Sequence, residues 1–271
     1  TSIRRMHDLL AAHPHYAEVV MPYIGGEEVN SSPTHAHDRY VIDFGERSED
    51  VCWQHYPELM TIVKAKVWPE RKDKDARKYP RMVNEWWKFF NARPALRRAI
   101  AGLDRVLVTC IHTPQFSLAF LPRAAVFSHA LIVFPFQSHA AFSALQSSLH
   151  EMWARFFGSS LGDGLRYTPS DCFETFPFPP DWEARADLEA AGQAYYEFRA
   201  ALMVQNDEGL TKTYNRFHNP DDHDPQIARL RTLHGAMDRA VLDAYGWGDV
   251  PVACEFFEEN PTADDDESAQ G

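Results

Sequence analysis

The spacing of apolar residues predicts helices towards both ends of the chain. Apolar residues from Ile3 to Leu10 recur at helical intervals, which indicates an amphipathic helix over the first twelve residues. The last helix carries the clearest signals, because Asp224 is a suitable N-cap and Pro225 would occupy the first helical position. An apolar stripe follows them: Ile227, Leu230, Leu233, Met237, Val241 and Ala244.

Between these helices, runs of β-branched and aromatic residues predict strands. The sequence also predicts helices over residues 48–66 and 138–156, and an aromatic helical segment that starts at Trp86-Trp87. The strands are expected within residues 39–45, 106–111, 116–121, 130–136 and 173–180. These elements predict an α+β fold in which one mixed sheet is flanked by helices.

A change in predicted secondary structure and in composition near residue 180 predicts a domain boundary. Residues 1–180 contain all of the predicted strands, whereas residues 181–271 are helical and end in an acidic, polar tail from Pro261 onwards. A tail of that composition is expected to be disordered. The chain opens at Thr1, so it is expected to be a piece of a longer protein.

Charge is distributed unevenly along the chain. Residues 1–180 hold 20 basic and 19 acidic residues, whereas residues 181–271 hold 7 basic and 20 acidic ones. Residues 61–123 alone hold 14 basic and 5 acidic residues. Such a local surplus can bind a polyanion even on an acidic protein, because salt screens each charge over about 8–10 Å.

Composition favours a globular protein of a reducing compartment. Hydrophobic residues make up 45% of the chain, and the longest apolar run, residues 130–136, is too short to cross a bilayer. No secretory signal is recognisable at the start of the chain. The four cysteines stand far apart without a Cys-x-x-Cys pair, which predicts reduced thiols and a cytoplasmic location. They are Cys52, Cys110, Cys172 and Cys254.

No catalytic centre is recognisable in the sequence, and no bound cofactor or metal is expected. An adenine-N6 methyltransferase requires an Asp/Asn-Pro-Pro-aromatic loop and a glycine-rich turn after a strand for S-adenosylmethionine. The glycines of residues 158–164 follow a predicted helix instead. A metal-dependent hydrolase built on His35, His37, Asp38 and residues 221–224 is one alternative function. A protein-docking module whose acidic helical part contacts partner subunits is another.

Several blocks of sequence resemble the MmeI-like type IIG/IIL restriction-modification proteins. The first block, Met21-Pro22-Tyr23-Ile24-Gly25-Gly26-Glu27-Glu28, is followed by Arg39-Tyr40-Val41-Ile42-Asp43-Phe44 and Trp86-Trp87-Lys88-Phe89. Further blocks follow in residues 93–96, 103–108, 145–154, 165–179, 209–218 and 244–247. The resemblance runs from about residue 21 to residue 248, and it concerns the target-recognition domain and the C-terminal helical region of these enzymes.

This resemblance implies a DNA-binding function without catalysis in this chain. Residues 1–180 would be a DNA target-recognition domain, and residues 181–271 a helical C-terminal subdomain. Its partners would be double-stranded DNA and a methyltransferase domain, with or without a nuclease, located upstream or on a separate subunit. That domain would bind S-adenosylmethionine and methylate adenine at N6.

Two groups of side chains are predicted to contact the DNA. Lys and Arg hold DNA by its phosphates; the candidates are Lys64, Lys66, Arg71, Lys72, Lys74, Arg77, Lys78 and Arg81. Base readout is predicted for the turn formed by His112, Thr113 and Gln115, because Gln can make two hydrogen bonds to adenine. Arg123 is a further candidate, since arginine often binds guanine. A solvated charged face and a plain β-turn remain open as structural alternatives.

Overall fold

Helices make up most of the computed structural model, which describes residues 3–161 and 164–252. The predicted tail from Pro261 onwards and Cys254 lie outside the described residues. The helices are α1 (Ile3–Ala12), α2 (Gly26–Ser31), α3 (Glu49–His55), α4 (Pro57–Arg71), α5 (Pro80–Asn84), α6 (Pro94–Ile100), α7 (His139–Gln146), α8 (Ser148–Phe157), α9 (Pro169–Cys172), α10 (Ala186–Asn206), α11 (Leu210–Phe217) and α12 (Pro225–Ala244). None of the helices in this part of the chain combines the length and the hydropathy that crossing a bilayer requires.

The strands form small three-stranded sheets. They are β1 (Val20–Ile24), β2 (Arg39–Ile42), β3 (Arg105–Cys110), β4 (His112–Thr113), β5 (Ala119–Pro122), β6 (Val126–Phe127), β7 (Leu131–Phe134), β8 (Ser159–Leu161) and β9 (Gly164–Arg166). The strand orders are β2-β1-β6, β5-β3-β7 and β4-β9-β8. Only the β1–β6 pair among these described strands is parallel. The α+β class is confirmed.

The expectation of one mixed sheet is wrong. Strand β2 lies in a different sheet from β3, β5 and β7. Residues 173–180 form no strand, because Pro177, Pro179 and Pro180 have no N–H group to donate to a ladder. Their aromatic rings pack on the core instead, as Phe173 does on Phe134 at a ring distance of 5.1 Å.

Local packing also interrupts helices that the sequence predicts as continuous. The expected helix at Trp86-Trp87 is a turn. The Trp86 ring packs on Trp68 of α4 at 5.4 Å, and Trp87 Nε1 donates to the Arg47 carbonyl at 3.0 Å. Ser147 adopts an extended conformation between α7 and α8, and its side chain accepts a hydrogen bond from the His150 N–H.

The predicted last helix is confirmed as α12. The Asp224 side chain accepts from the Gln226 N–H at 2.7 Å, and Pro225 occupies the first turn. Along its apolar stripe, Ile227 and Met237 are fully buried. The helix is therefore stabilised by the cap and the buried face that its sequence encodes.

One hydrophobic core joins residues on both sides of the predicted boundary at residue 180. Val108 of β3 and Phe142 of α7 belong to the same buried cluster as Leu202 of α10 and Met237 of α12. A second cluster lies towards the N-terminus, where α1, α3 and α4 pack around Met60. The division into residues 1–180 and 181–271 remains a prediction.

Candidate nucleic-acid interface

Most of the predicted phosphate ligands lie on the surface around the end of α4. Lys64 and Lys66 project from this helix, and four more follow in the segment between α4 and α5. The exposed side chains are Lys64, Lys66, Lys72, Lys74, Arg77 and Lys78. Exposure leaves these charges available to a polyanion.

The two remaining basic residues of this run have partners inside the protein. Arg71 Nη1 donates to the carbonyls of Trp86 and Lys88 at 2.9 and 2.5 Å, and burial lowers the pKa of Arg71 below its usual range. Arg81 forms ion pairs with Glu46 at 2.7 Å and with Glu85 at 3.4 Å. The charge of Arg81 is therefore largely neutralised, whereas the Arg71 side chain contacts no carboxylate among the described residues and is influenced by Glu70 only through space.

The predicted readout residues do not come together. His112 is exposed on β4, and Thr113 is buried with its hydroxyl donating to the Gln115 carbonyl. Arg123 follows β5 at the other end of the strand, eight residues after Gln115. Arg123 lines a cleft to which none of residues 112–115 contributes. Arg123 and the 112–115 turn therefore do not share this site.

Arg123 instead lines a cleft that no single stretch of sequence reveals. The cleft has a volume of about 620 Å³ and lies between α6 and the β5–β6 connection. We call it the arginine cleft, since Arg71, Arg93, Arg97 and Arg123 all line it. None of the described residues along it is Asp or Glu. Its charge is therefore positive in a chain with a formal net charge of -12.

The arginines of this cleft differ in how they are held. Arg93 precedes α6 with a φ of 47°, and its Nη1 donates to the Phe127 carbonyl at 3.4 Å. Arg97 forms an ion pair with Asp43, which is not among the residues that line the cleft. Arg123 is exposed at the rim. Arg71, Arg93 and Arg123 therefore line the cleft without a contacting carboxylate in the described part of the chain, although Glu70 acts on the charge of Arg71 through space.

The first candidate metal cluster does not assemble. His35 Nδ1 lies 2.9 Å from the Val29 carbonyl oxygen, and burial lowers the pKa of His35 to about 4. Asp38 forms an ion pair with Arg39 at 3.2 Å, and the His37 ring packs on Tyr40. Each side chain therefore has its own structural partner.

The second cluster serves the start of α12. Asp222 and Asp224 both bind the Arg216 guanidinium at 2.8 Å, and Asp224 is also the N-cap. Within residues 3–161 and 164–252, no three His, Cys, Asp or Glu side chains are close enough together to hold a metal ion. The geometry does not favour the hydrolase alternative.

The described glycines of residues 158–164 do not have the arrangement of an S-adenosylmethionine site. Gly158 is the C-cap of helix α8 and Gly164 is the first residue of β9, whereas residues 162–163 are not described. A cofactor turn would require a strand before the glycines and a helix after them.

Comparisons with known proteins agree with the sequence blocks. The chain is similar in fold to the type IIL restriction-modification enzyme MmeI, solved in complex with DNA, with a TM-score of 0.63 and 18% identity. The match covers 91% of this chain but 31% of the MmeI chain, so this chain spans about a third of that protein. Nothing among curated proteins matches it. The family model described as "MmeI, target recognition domain" matches residues 2–180. The chain therefore belongs to the family of MmeI target recognition domains.

Proposed function

We propose that this chain is the sequence-specific, double-stranded DNA recognition module of an adenine-N6 methyltransferase of the restriction-modification type. The match of residues 2–180 to the MmeI target recognition family carries this proposal. The exposed lysines beyond α4 and the acid-free arginine cleft support it. The module is non-catalytic by itself.

Methylation would come from another part of the parent protein. The MmeI chain extends far beyond the part that this chain matches, which leaves room for a methyltransferase domain that binds S-adenosylmethionine. That domain would lie upstream or on a separate subunit. We place the protein in the cytoplasm, where the buried thiols of Cys52, Cys110 and Cys172 would remain reduced.

Phosphate ligands and base-reading residues should have different signatures in a DNA titration. Replacing Lys72, Lys74 or Lys78 by Ala is expected to weaken binding to every duplex about equally. The slope of log affinity against log salt should become shallower by about 0.9 per contact. Replacing Gln115 or Arg123 should cost roughly 1–3 kcal/mol on the preferred site and little on random DNA.

The preferred site for this titration is obtained by selecting bound duplexes from a random-sequence pool, and affinity is then measured by fluorescence anisotropy over a range of salt concentrations. Lys212→Ala is the matched control, because Lys212 is exposed on α11 in the acidic C-terminal part. If the unmodified chain bound no duplex even at low salt, the proposed function would be wrong.

Removal of the acidic tail is expected to preserve DNA binding. A chain that ends at Asn260 lacks the carboxylates of residues 264–267, which would repel phosphates at short range. The truncated chain should therefore bind duplex DNA with unchanged or slightly higher affinity in the same anisotropy measurement. A large loss of affinity would contradict the assignment of DNA contacts to the first 180 residues.

A further inference from the structure

We propose that Arg71 and Arg93 in the arginine cleft bind a phosphate of the DNA backbone, and that Phe90 packs against the adjoining deoxyribose. This inference rests on the proposed function and deepens it. It assigns DNA contacts to Arg93 and Phe90, and it places Arg71 beside Arg93 at one contact point.

The size and the lining of the cleft are compatible with a segment of DNA backbone. Its lining combines Tyr23 of β1 and Phe127 of β6 with residues of α6 and residues 89–93. A volume of about 620 Å³ accommodates more than an isolated anion. Arg123 lines the same cleft, so a DNA backbone bound there would pass the side chain that is proposed to read a base.

The electrostatics of the cleft favour an anion. Four arginines and His129 line it, and no Asp or Glu is found among the described lining residues. The Asp43 carboxylate forms its ion pair with Arg97 and so offsets the positive charge of that arginine alone. Burial lowers the pKa of Arg71 and outweighs the opposite effect of the neighbouring Glu70 carboxylate, which does not contact the guanidinium. A bound phosphate would compensate this desolvated charge.

Both proposed phosphate ligands are held in place before the ligand arrives. Arg71 uses Nη1 for two backbone carbonyls, and Arg93 uses Nη1 for the Phe127 carbonyl. A guanidinium has five N–H donors, so each residue retains donors for phosphate oxygens. Their fixed positions reduce the entropy that binding would otherwise cost.

Phe90 adds a contact of a different kind. Its side chain is 49% exposed, although it lines the cleft beside Asn91 and Arg93. A large apolar ring at the rim of a positive cleft can pack on the apolar face of a sugar without any change in charge. The salt dependence of binding therefore distinguishes its role from that of the arginines.

The test compares cleft variants of the full chain in anisotropy titrations with duplex DNA. Arg93→Ala should reduce affinity several-fold on every duplex and make the salt slope shallower by about 0.9. Phe90→Ala should reduce affinity with an unchanged slope. Arg98→Ala and Phe156→Ala are the controls, because both residues are exposed and neither lines the cleft.

Chemical protection tests the same contact without any substitution. DNA should shield Arg93 of the unmodified chain from phenylglyoxal, as read by mass spectrometry, and leave Arg98 reactive. Equal binding by the cleft variants and the unmodified chain, or no protection of Arg93, would overturn the inference while DNA recognition stood. Equal protection of Arg93 and Arg98 would also overturn it, because the shielding would then not be specific to the cleft. Failure of the unmodified chain to bind DNA would instead refute the proposed function.

Discussion

Replacement of Arg199 by Ala is expected to destabilise the folded chain by roughly 3–5 kcal/mol. Arg199 of α10 is only 1% exposed. Its Nη2 donates to the Leu118 carbonyl at 2.6 Å and its Nη1 to the Tyr214 hydroxyl at 2.8 Å. Truncation would leave the Leu118 carbonyl unpaired and open a cavity among aromatic rings. Urea denaturation followed by circular dichroism measures the loss.

The matched control for this change is Arg229→Ala on α12, where the side chain is exposed. It should alter the free energy of unfolding by no more than about 0.5 kcal/mol. A loss below about 1 kcal/mol for Arg199→Ala would contradict the structural role of its hydrogen bonds. Because Leu118 leads into β5 and Arg123, Arg199 links the C-terminal helices to the surface proposed to contact DNA.

Elements with strong local signals were predictable from the sequence. Helix α12 has its N-cap, its proline and its apolar stripe within twenty-one consecutive residues, and each is found where the sequence predicts it. The strand expected over residues 173–180 was wrong, and the sequence already argued against it, since three of the last four residues are prolines.

The arginine cleft was not predictable, because it depends on contacts between distant segments. Arg71, Arg93 and Arg123 approach one another through the pairing of β1 with β6 and the position of α6. The basic surplus of residues 61–123 contains all of these arginines, yet it does not reveal which of them share a surface. The burial of Arg199 was not predictable either, since nothing in the sequence distinguishes a buried arginine in a long helix from an exposed one.

Replacement of Gly192 by Ala is expected to destabilise the protein by about 3 kcal/mol, although alanine favours helices. Gly192 lies inside α10, where a Cβ would overlap the His139 carbonyl oxygen and the Ser143 hydroxyl of α7. Ser143 Oγ also donates to the Leu188 carbonyl at 2.7 Å, so the two helices cannot separate without losing this bond. Thermal and urea unfolding of the variant measure the effect.

Gly235→Ala is expected to change the stability of the same protein in the opposite direction. Gly235 lies inside α12, and the nearest atom to a Cβ there is Val252 Cγ1 at 3.9 Å, which is ordinary van der Waals contact. Without a clash, the alanine should stabilise the protein by up to about 1 kcal/mol through its helix propensity. Opposite signs for the two substitutions would show that the close α7–α10 approach joins the C-terminal helices to the recognition domain. A stabilising Gly192→Ala would mean that these helices can move apart freely, and the shared core would then contribute little to holding the two parts together.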